Sequence, residues 1–147
     1  MFVSRRVVQI EWGDCDPANI VFYPRYFAWF DASTGHHFAA AGLPKPELIA
    51  RYGVIGFPMV DTRARFLVPS RHGDEVTIET AFPTFGRSSF EVHHRLLRDD
   101  GTLGVEAFEK RVLVTSSDDG GGLKSFPIPD EVKALFADVG RYEPREL

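Results

Sequence analysis

Two carboxylates, Asp14 and Asp16, bracket the only cysteine of the chain in the stretch GDCDPANIVFYPRYF, residues 13–27. A carboxylate held in a loop beside the start of a helix can act on an acyl group as nucleophile or general base. The first backbone N–H groups of that helix have no intrahelical partners and carry positive potential, so they can hold the oxyanion that develops on an attacked carbonyl. Acid and helix N-terminus together make an acyl-transfer site that needs neither serine nor histidine. An Asp before a helix is also commonly a turn former or cap. Spacing alone does not say which of the two acids works.

The other reactive side chains point elsewhere. Cys15 sits between two negative neighbours, which disfavour the thiolate that nucleophilic catalysis requires, so it is expected to be a small packing residue. His36-His37 and His93-His94 are adjacent pairs. Neighbours on a helix diverge by about 100° and on a strand face opposite ways, so neither pair can chelate one ion. The expectation is no metal and no cofactor, with His37 buried and satisfied and His36 exposed. Gly120-Gly121-Gly122 opens no helix and lacks phosphate-loop spacing. Arg87, Arg95 and Arg98, near one hairpin, read as a solvated face.

The acids must be positioned by the elements around them. Alternation over residues 2–12 predicts a strand. Residues 24–41 follow as a helix, with Pro24 in its first turn and Gly42 at its exit. Phe27, Phe30, Thr34, Phe38 and Ala41 fall on one face. With Arg25 and Asp31 as its only charges, the helix is expected to be buried rather than laid on a surface. A short helix is predicted over residues 46–53. Four strands come next, near residues 61–68, 75–82, 87–98 and 102–115, the last two joined by Arg98-Asp99-Asp100-Gly101. Asp118 to Gly122 reads as a flexible turn, and residues 129–139 as a terminal helix. One helix followed by antiparallel strands means an α+β domain with the sheet wrapped on that helix. A single domain is expected over residues 1–140, with 141–147 a flexible tail.

Composition bounds the rest. A chain of 147 residues that is 44% hydrophobic and 26% charged is long enough for one globular core. Its aromatic content, 13%, implies a bulky core or an aromatic pocket. A net charge of −4 argues against a nucleic-acid partner. One cysteine allows no internal disulfide, and no apolar run is long enough to span a membrane. The protein is expected to be cytoplasmic, without a cleaved leader.

The run DCDPANIVFYPRY, residues 14–26, resembles the active-site segment of the 4-hydroxybenzoyl-CoA thioesterases, D-C-D-P-A-G-I-V-[WF]-Y-P-x-Y. The likeness continues through Trp29, Phe30, Asp31 and Ala32, through Gly42-Leu43-Pro44 and Gly53-Val54-Ile55-Gly56, and more weakly over residues 73–90. It implies a hotdog fold, assembled as homodimers through sheet edges and then as homotetramers, with active sites between subunits. It makes Asp16, the acid before the proline, the catalytic carboxylate, as nucleophile or as base for water. It makes the backbone N–H of Tyr23 the oxyanion donor and leaves Asp14 to hold the loop. Asn19 stands where the family has glycine, and asparagine is the residue best able to supply a positive φ there.

Asp31, Asp61 and Arg87 are taken as substrate contacts. Arg87 is all that remains of a basic cluster expected to hold CoA phosphates, and Asp61 and Arg63 replace small or neutral residues near the acyl group. The function implied is hydrolysis of an aromatic acyl-CoA, such as a hydroxybenzoyl-CoA. The alternatives are a short- or medium-chain aliphatic acyl-CoA thioesterase, or a non-catalytic acyl-CoA-binding module of the same fold.

Overall fold

The structure, a computed structural model, describes residues 1–137; the expected tail, 141–147, and the last residues assigned to the domain and the terminal helix lie outside them. Strand β1 (Val3–Gln9) leads through a 3-10 turn (Trp12–Asp14) and the opening loop into helix α1 (Pro24–Ala40). Helix α2 (Lys45–Tyr52) follows, then strands β2 (Met59–Phe66), β3 (Glu75–Ala81), β4 (Ser89–Arg98) and β5 (Leu103–Val112). Two three-residue strands, β6 (Val114–Ser116) and β7 (Leu123–Ser125), precede helix α3 (Asp130–Ala137). The main sheet is antiparallel throughout, in the order β1-β3-β4-β5-β2.

The helix lies across one face of this sheet. Its inward stripe is Tyr26, Phe30, Ser33, Thr34, His37 and Phe38, a slight rotation from the expected face that brings Tyr26 in where Phe27 was placed. Even-numbered residues of β4 and odd-numbered residues of β5 meet it, so Leu96, Val105 and Ala107 pack with Tyr26 and Phe30 in one cluster. Phe38 joins Phe57, Phe82, Phe90 and Phe136 in a second. Fully burying such a side chain contributes roughly 1.5–3 kcal/mol.

Two expectations change. First, α1 is not buried all round: Arg25, Ala28, Asp31, Ala32, His36, Ala39 and Ala40 face outward. Its low charge reflects alanines on the open side, which favour helix without needing burial. Second, the final strand of residues 102–115 breaks after Val112. The remainder, β6, pairs with β7 across the Asp118–Gly122 turn. Strands of three residues are too short for alternation to reveal.

Candidate active site

The opening loop is closed on itself by short-range bonds. Cys15 and Val21 form an isolated antiparallel bridge. The Asp16 N–H donates to the Ile20 carbonyl at 3.0 Å, and the Asn19 N–H to the Asp16 carbonyl at 2.9 Å. Asn19 makes the reversal with φ 62°, as expected, and it is the one non-glycine residue with positive φ among those described.

The two acids separate cleanly. Asp14 is consumed by architecture: its Oδ2 accepts the Glu11 N–H at 2.9 Å, and its carbonyl accepts the Phe22 N–H at 2.9 Å. Asp16 Oδ1 accepts the Ala18 N–H at 2.8 Å, an Asx turn that orients the carboxylate, while Oδ2 has no partner among the described residues. Asp16 lines an open groove of about 410 Å³ with Trp12, Cys15, Pro17 and Asn19.

The start of α1 presents one open donor. Pro24 has no N–H, the Arg25 N–H donates to the Phe22 carbonyl and the Tyr26 N–H to the Tyr23 carbonyl. The Tyr23 N–H has no acceptor among the described residues and lies at the positive end of the helix. The residue types alone left the whole first turn available and the family resemblance implied Tyr23; the local 3-10 bonding leaves this group without an acceptor among the described residues.

A bracing segment between β2 and β3 went unrecognised in the sequence. The Ser70 carbonyl accepts the Val21 N–H at 2.9 Å, and the buried Tyr26 hydroxyl accepts the Ser70 N–H at 3.3 Å. Burial raises the Tyr26 pKa above its ordinary value, so the hydroxyl stays protonated. Arg71 reaches the Asn19 carbonyl at 3.1 Å, and His72 packs edge-on against Trp12. Only the Pro69-Ser70 and Gly73-Asp74 turn signals marked this loop. Its partners are some fifty residues away, as between Arg71 and Asn19, beyond any local pattern.

The other expected contacts are dispersed within one chain. Asp31 is exposed on α1 and held by Arg111 at 2.8 Å. Asp61 lies on the sheet face away from α1, beside Arg63, Glu91 and Lys110. Arg87 is exposed in the β3–β4 connection, where its carbonyl accepts the Ile128 N–H. That connection packs on Phe38, near the C-terminal end of α1, through Phe82, whereas Tyr23 stands at the other end of a 17-residue helix about 25 Å long at 1.5 Å per residue.

A buried polar chain runs behind the helix. Glu109 takes Arg111 Nε at 2.8 Å and His94 Nε2 at 3.3 Å, while the Thr80 hydroxyl meets His94 Nδ1 at 2.9 Å. Burial lowers the His94 pKa, so the ring is neutral, donates to Glu109 and accepts from Thr80. Burial works to raise Glu109, but His94 and Arg111 outweigh it and hold the carboxyl below its usual range. His37 is buried, as expected, but only half satisfied. Nδ1 meets the Ser4 hydroxyl at 2.6 Å, and Nε2 has no partner among the described residues.

Comparison with known proteins agrees with this picture. Residues 10–136 match the thioesterase-like superfamily. The chain is 36% identical over 126 residues to 4-hydroxybenzoyl-CoA thioesterase of Pseudomonas sp. strain CBS-3, covering 82% of this chain and 88% of that one. The solved structure of that enzyme superposes with a TM-score of 0.84 over 90% of this chain and 98% of its own. A solved gentisyl-coenzyme A thioesterase, 31% identical, superposes with a TM-score of 0.77 over 92% of this chain and 100% of its own.

Proposed function

The chain belongs to the thioesterase-like superfamily, and from that premise we propose that it hydrolyses an aromatic acyl-CoA, such as a hydroxybenzoyl-CoA, to the free acid and CoA. It is a thioester hydrolase of the hotdog fold. The observation that supports the catalytic reading is the open Tyr23 N–H at the positive end of α1, in the segment that leads from Asp16 into the helix.

The thioester carbonyl oxygen sits on the Tyr23 N–H, which strengthens its bond as negative charge develops; such a donor is worth about 3–4 kcal/mol. The free Asp16 oxygen attacks the carbonyl carbon, the C–S bond breaks, and the thiolate leaves and takes a proton. Water then cleaves the mixed anhydride and returns the carboxylate. In the other version, Asp16 takes a proton from water as the water attacks directly. Both versions need one ionised carboxylate and one oxyanion donor.

Aromatic acyl groups fit the surroundings: Tyr23 and Phe27 lie edge-on to Phe66 at 6.4 and 6.2 Å, and Tyr26 is tilted to it at 5.7 Å. Asp31 is proposed to accept from a polar substituent of the acyl group, and Arg87 to hold a CoA phosphate. Both belong to a site completed by a second subunit, in a homodimer that assembles further to a homotetramer. Asp61, on the edge strand β2, is proposed as a further substrate contact. Among the described residues no helix is long and apolar enough to cross a membrane.

A thiol-release assay across aromatic and aliphatic CoA esters tests the proposal. Aromatic esters are expected to turn over fastest, and Asp16→Asn to lower kcat by several orders of magnitude with KM little changed. A faster aliphatic ester would shift the substrate class, release from no ester would leave a binding module, and an active Asp16→Asn would overturn the mechanism.

A further inference from the structure

The buried polar network behind α1 has one end in the open. Glu109 and Arg111 stand side by side on the helix-facing side of β5, with 1% and 4% of their side chains exposed. The Arg111 guanidinium divides its fork among three acceptors. Nε donates to Glu109 at 2.8 Å, Nη1 to the Phe57 carbonyl at 3.3 Å, and Nη2 to Asp31 Oδ1 at 2.8 Å. Behind them Glu109 is held by His94 at 3.3 Å and by the Thr34 hydroxyl at 3.3 Å, and His94 by Thr80. Asp31 alone in this network faces solvent: 70% of its side chain is exposed, and its Oδ2 has no partner among the described residues.

Stability does not account for that arrangement. A buried ion pair is weak evidence for stability, since an apolar pair of similar volume serves as well or better. An apolar pair could not hold Asp31. A carboxylate this exposed otherwise moves among rotamers and meets water. A bond from a guanidinium already fixed on two other sides keeps it in one position. Lys45, the other cation nearby, lies 4.9 Å above the Phe57 ring and forms no ion pair among the described residues.

Asp31 also has a defined place relative to the ester. Tyr23, Phe27 and Asp31 follow one another at i+4, so they form a single row on the helix surface. From Tyr23 to Asp31 the helix rises about 12 Å at 1.5 Å per residue, and helical side chains lean back toward the N-terminus. Ala28 and Ala32 beside the row are small and exposed, which leaves it open. An acyl group whose carbonyl rests on the Tyr23 N–H runs along this row over Phe27, with its far end toward Asp31. There Asp31 lines a cavity of about 350 Å³ together with Lys45, Phe57, Met59 and Arg111.

We propose that Arg111 is a positioning residue for substrate selection: it fixes the Asp31 carboxylate with one oxygen free, so that the chain prefers aromatic acyl groups bearing a ring hydroxyl over the same ring without one. The proposal rests on the aromatic acyl-CoA reading given above and adds the residue that enforces it. The hydroxyl donates to Asp31 Oδ2, which is already in place. A ring that lacks the donor, or carries a methoxy group instead, leaves that oxygen covered and unpaired. Glu109 takes part by occupying Nε and so aiming Nη2 at the helix. Thr34, three residues after Asp31 on α1, ties the helix to the same carboxylate.

The test is the ratio of kcat/KM for the hydroxybenzoyl-CoA isomers to that for benzoyl-CoA and methoxybenzoyl-CoA. Wild type is expected to prefer its best hydroxy ester over both by about tenfold or more, the worth of one hydrogen bond to a charged group. Asp31→Ala and Arg111→Lys should each lower that ratio about tenfold, and the double variant no further, because the two act through one bond. The change should fall on KM, since the hydroxyl is held alike before and during reaction. Equal losses on all esters, which a merely structural Arg111 would give, overturn the proposal. So do an additive double variant and a loss carried by kcat alone.

Lysine keeps a charge beside Glu109 but has no fork, and it can destabilise the fold. Glu109→Gln/Arg111→Gln, a neutral pair that strands no buried charge, is therefore the second variant and should show the same loss of discrimination. In an Asp16→Asn background the ratio is read as dissociation constants by calorimetry, with no turnover needed. Discrimination in binding that depends on Arg111, in a chain that releases no thiol, keeps this inference and loses the hydrolytic reading. Hydrolysis of hydroxylated and plain rings with equal efficiency keeps the hydrolytic reading and loses this inference.

Discussion

His37 makes stability depend on acid in a way that can be worked out beforehand. Its ring is fully buried, stacked on Phe2 and Phe136 and edge-on to Phe82. Burial lowers its pKa from 6.5 to about 3. The folded-state value is depressed, so below about pH 6.5 the unfolded chain binds a proton that the folded chain refuses. Stability is therefore highest above pH 6.5 and falls as pH drops toward 3, by about 1.4 kcal/mol per unit. Between pH 7 and pH 5 this one ring costs about 2 kcal/mol, a large share of a typical total of about 5–15 kcal/mol.

The perturbation is His37→Phe, which keeps a ring in an aromatic cage and removes the titration. It also strands the Ser4 hydroxyl, a cost of about 1–3 kcal/mol that does not vary with pH. The assay is urea unfolding followed by tryptophan fluorescence at pH 7, 6 and 5, at one protein concentration. Wild type is expected to lose about 2 kcal/mol more than the variant over that range. Parallel losses in the two proteins would refute the reasoning, because no proton would then be linked to this site. His94 is also depressed by burial, so some loss with the same sign remains in both.

Three further outcomes follow from the same structure. Asp14→Asn is expected to cost far less kcat than Asp16→Asn, with thermal melting showing whether the loop has loosened; equal kcat losses would mean that Asp14 takes part in the chemistry. Asn19→Ala should lower stability by about 1 kcal/mol because alanine resists φ 62°, whereas Asn19→Gly should be near neutral in Tm. Arg111→Met leaves Glu109 buried with only neutral partners and should cost about 3–5 kcal/mol in urea unfolding; a neutral result would show that the buried charge finds water instead.

Legibility in the sequence followed the range of the interactions. The antiparallel order, α1 and the loop before it were readable because period, turn residues and a long motif are local signals. Even the choice between Asp14 and Asp16, which spacing leaves open and the family resemblance supplied, has a local cause, since the Asp14 bonds span only a few residues. The Glu109–His94–Arg111 chain was invisible. Each member looked like an ordinary polar residue on an alternating strand, and only the register of β4 on β5 brings them inward. The bracing loop at Ser70 and Arg71 failed to show for the same reason.

Asp31, Asp61 and Arg87 are a different case. All three were read as parts of one site, yet within one chain Asp31 lies on the helix, Asp61 on the opposite sheet face, and Arg87 at the far end of α1. No refolding of a single chain gathers them without breaking the sheet. A substrate contact and a subunit contact are the same kind of surface until the partner is in place, which is why residue type alone could not tell Asp61 from Asp31.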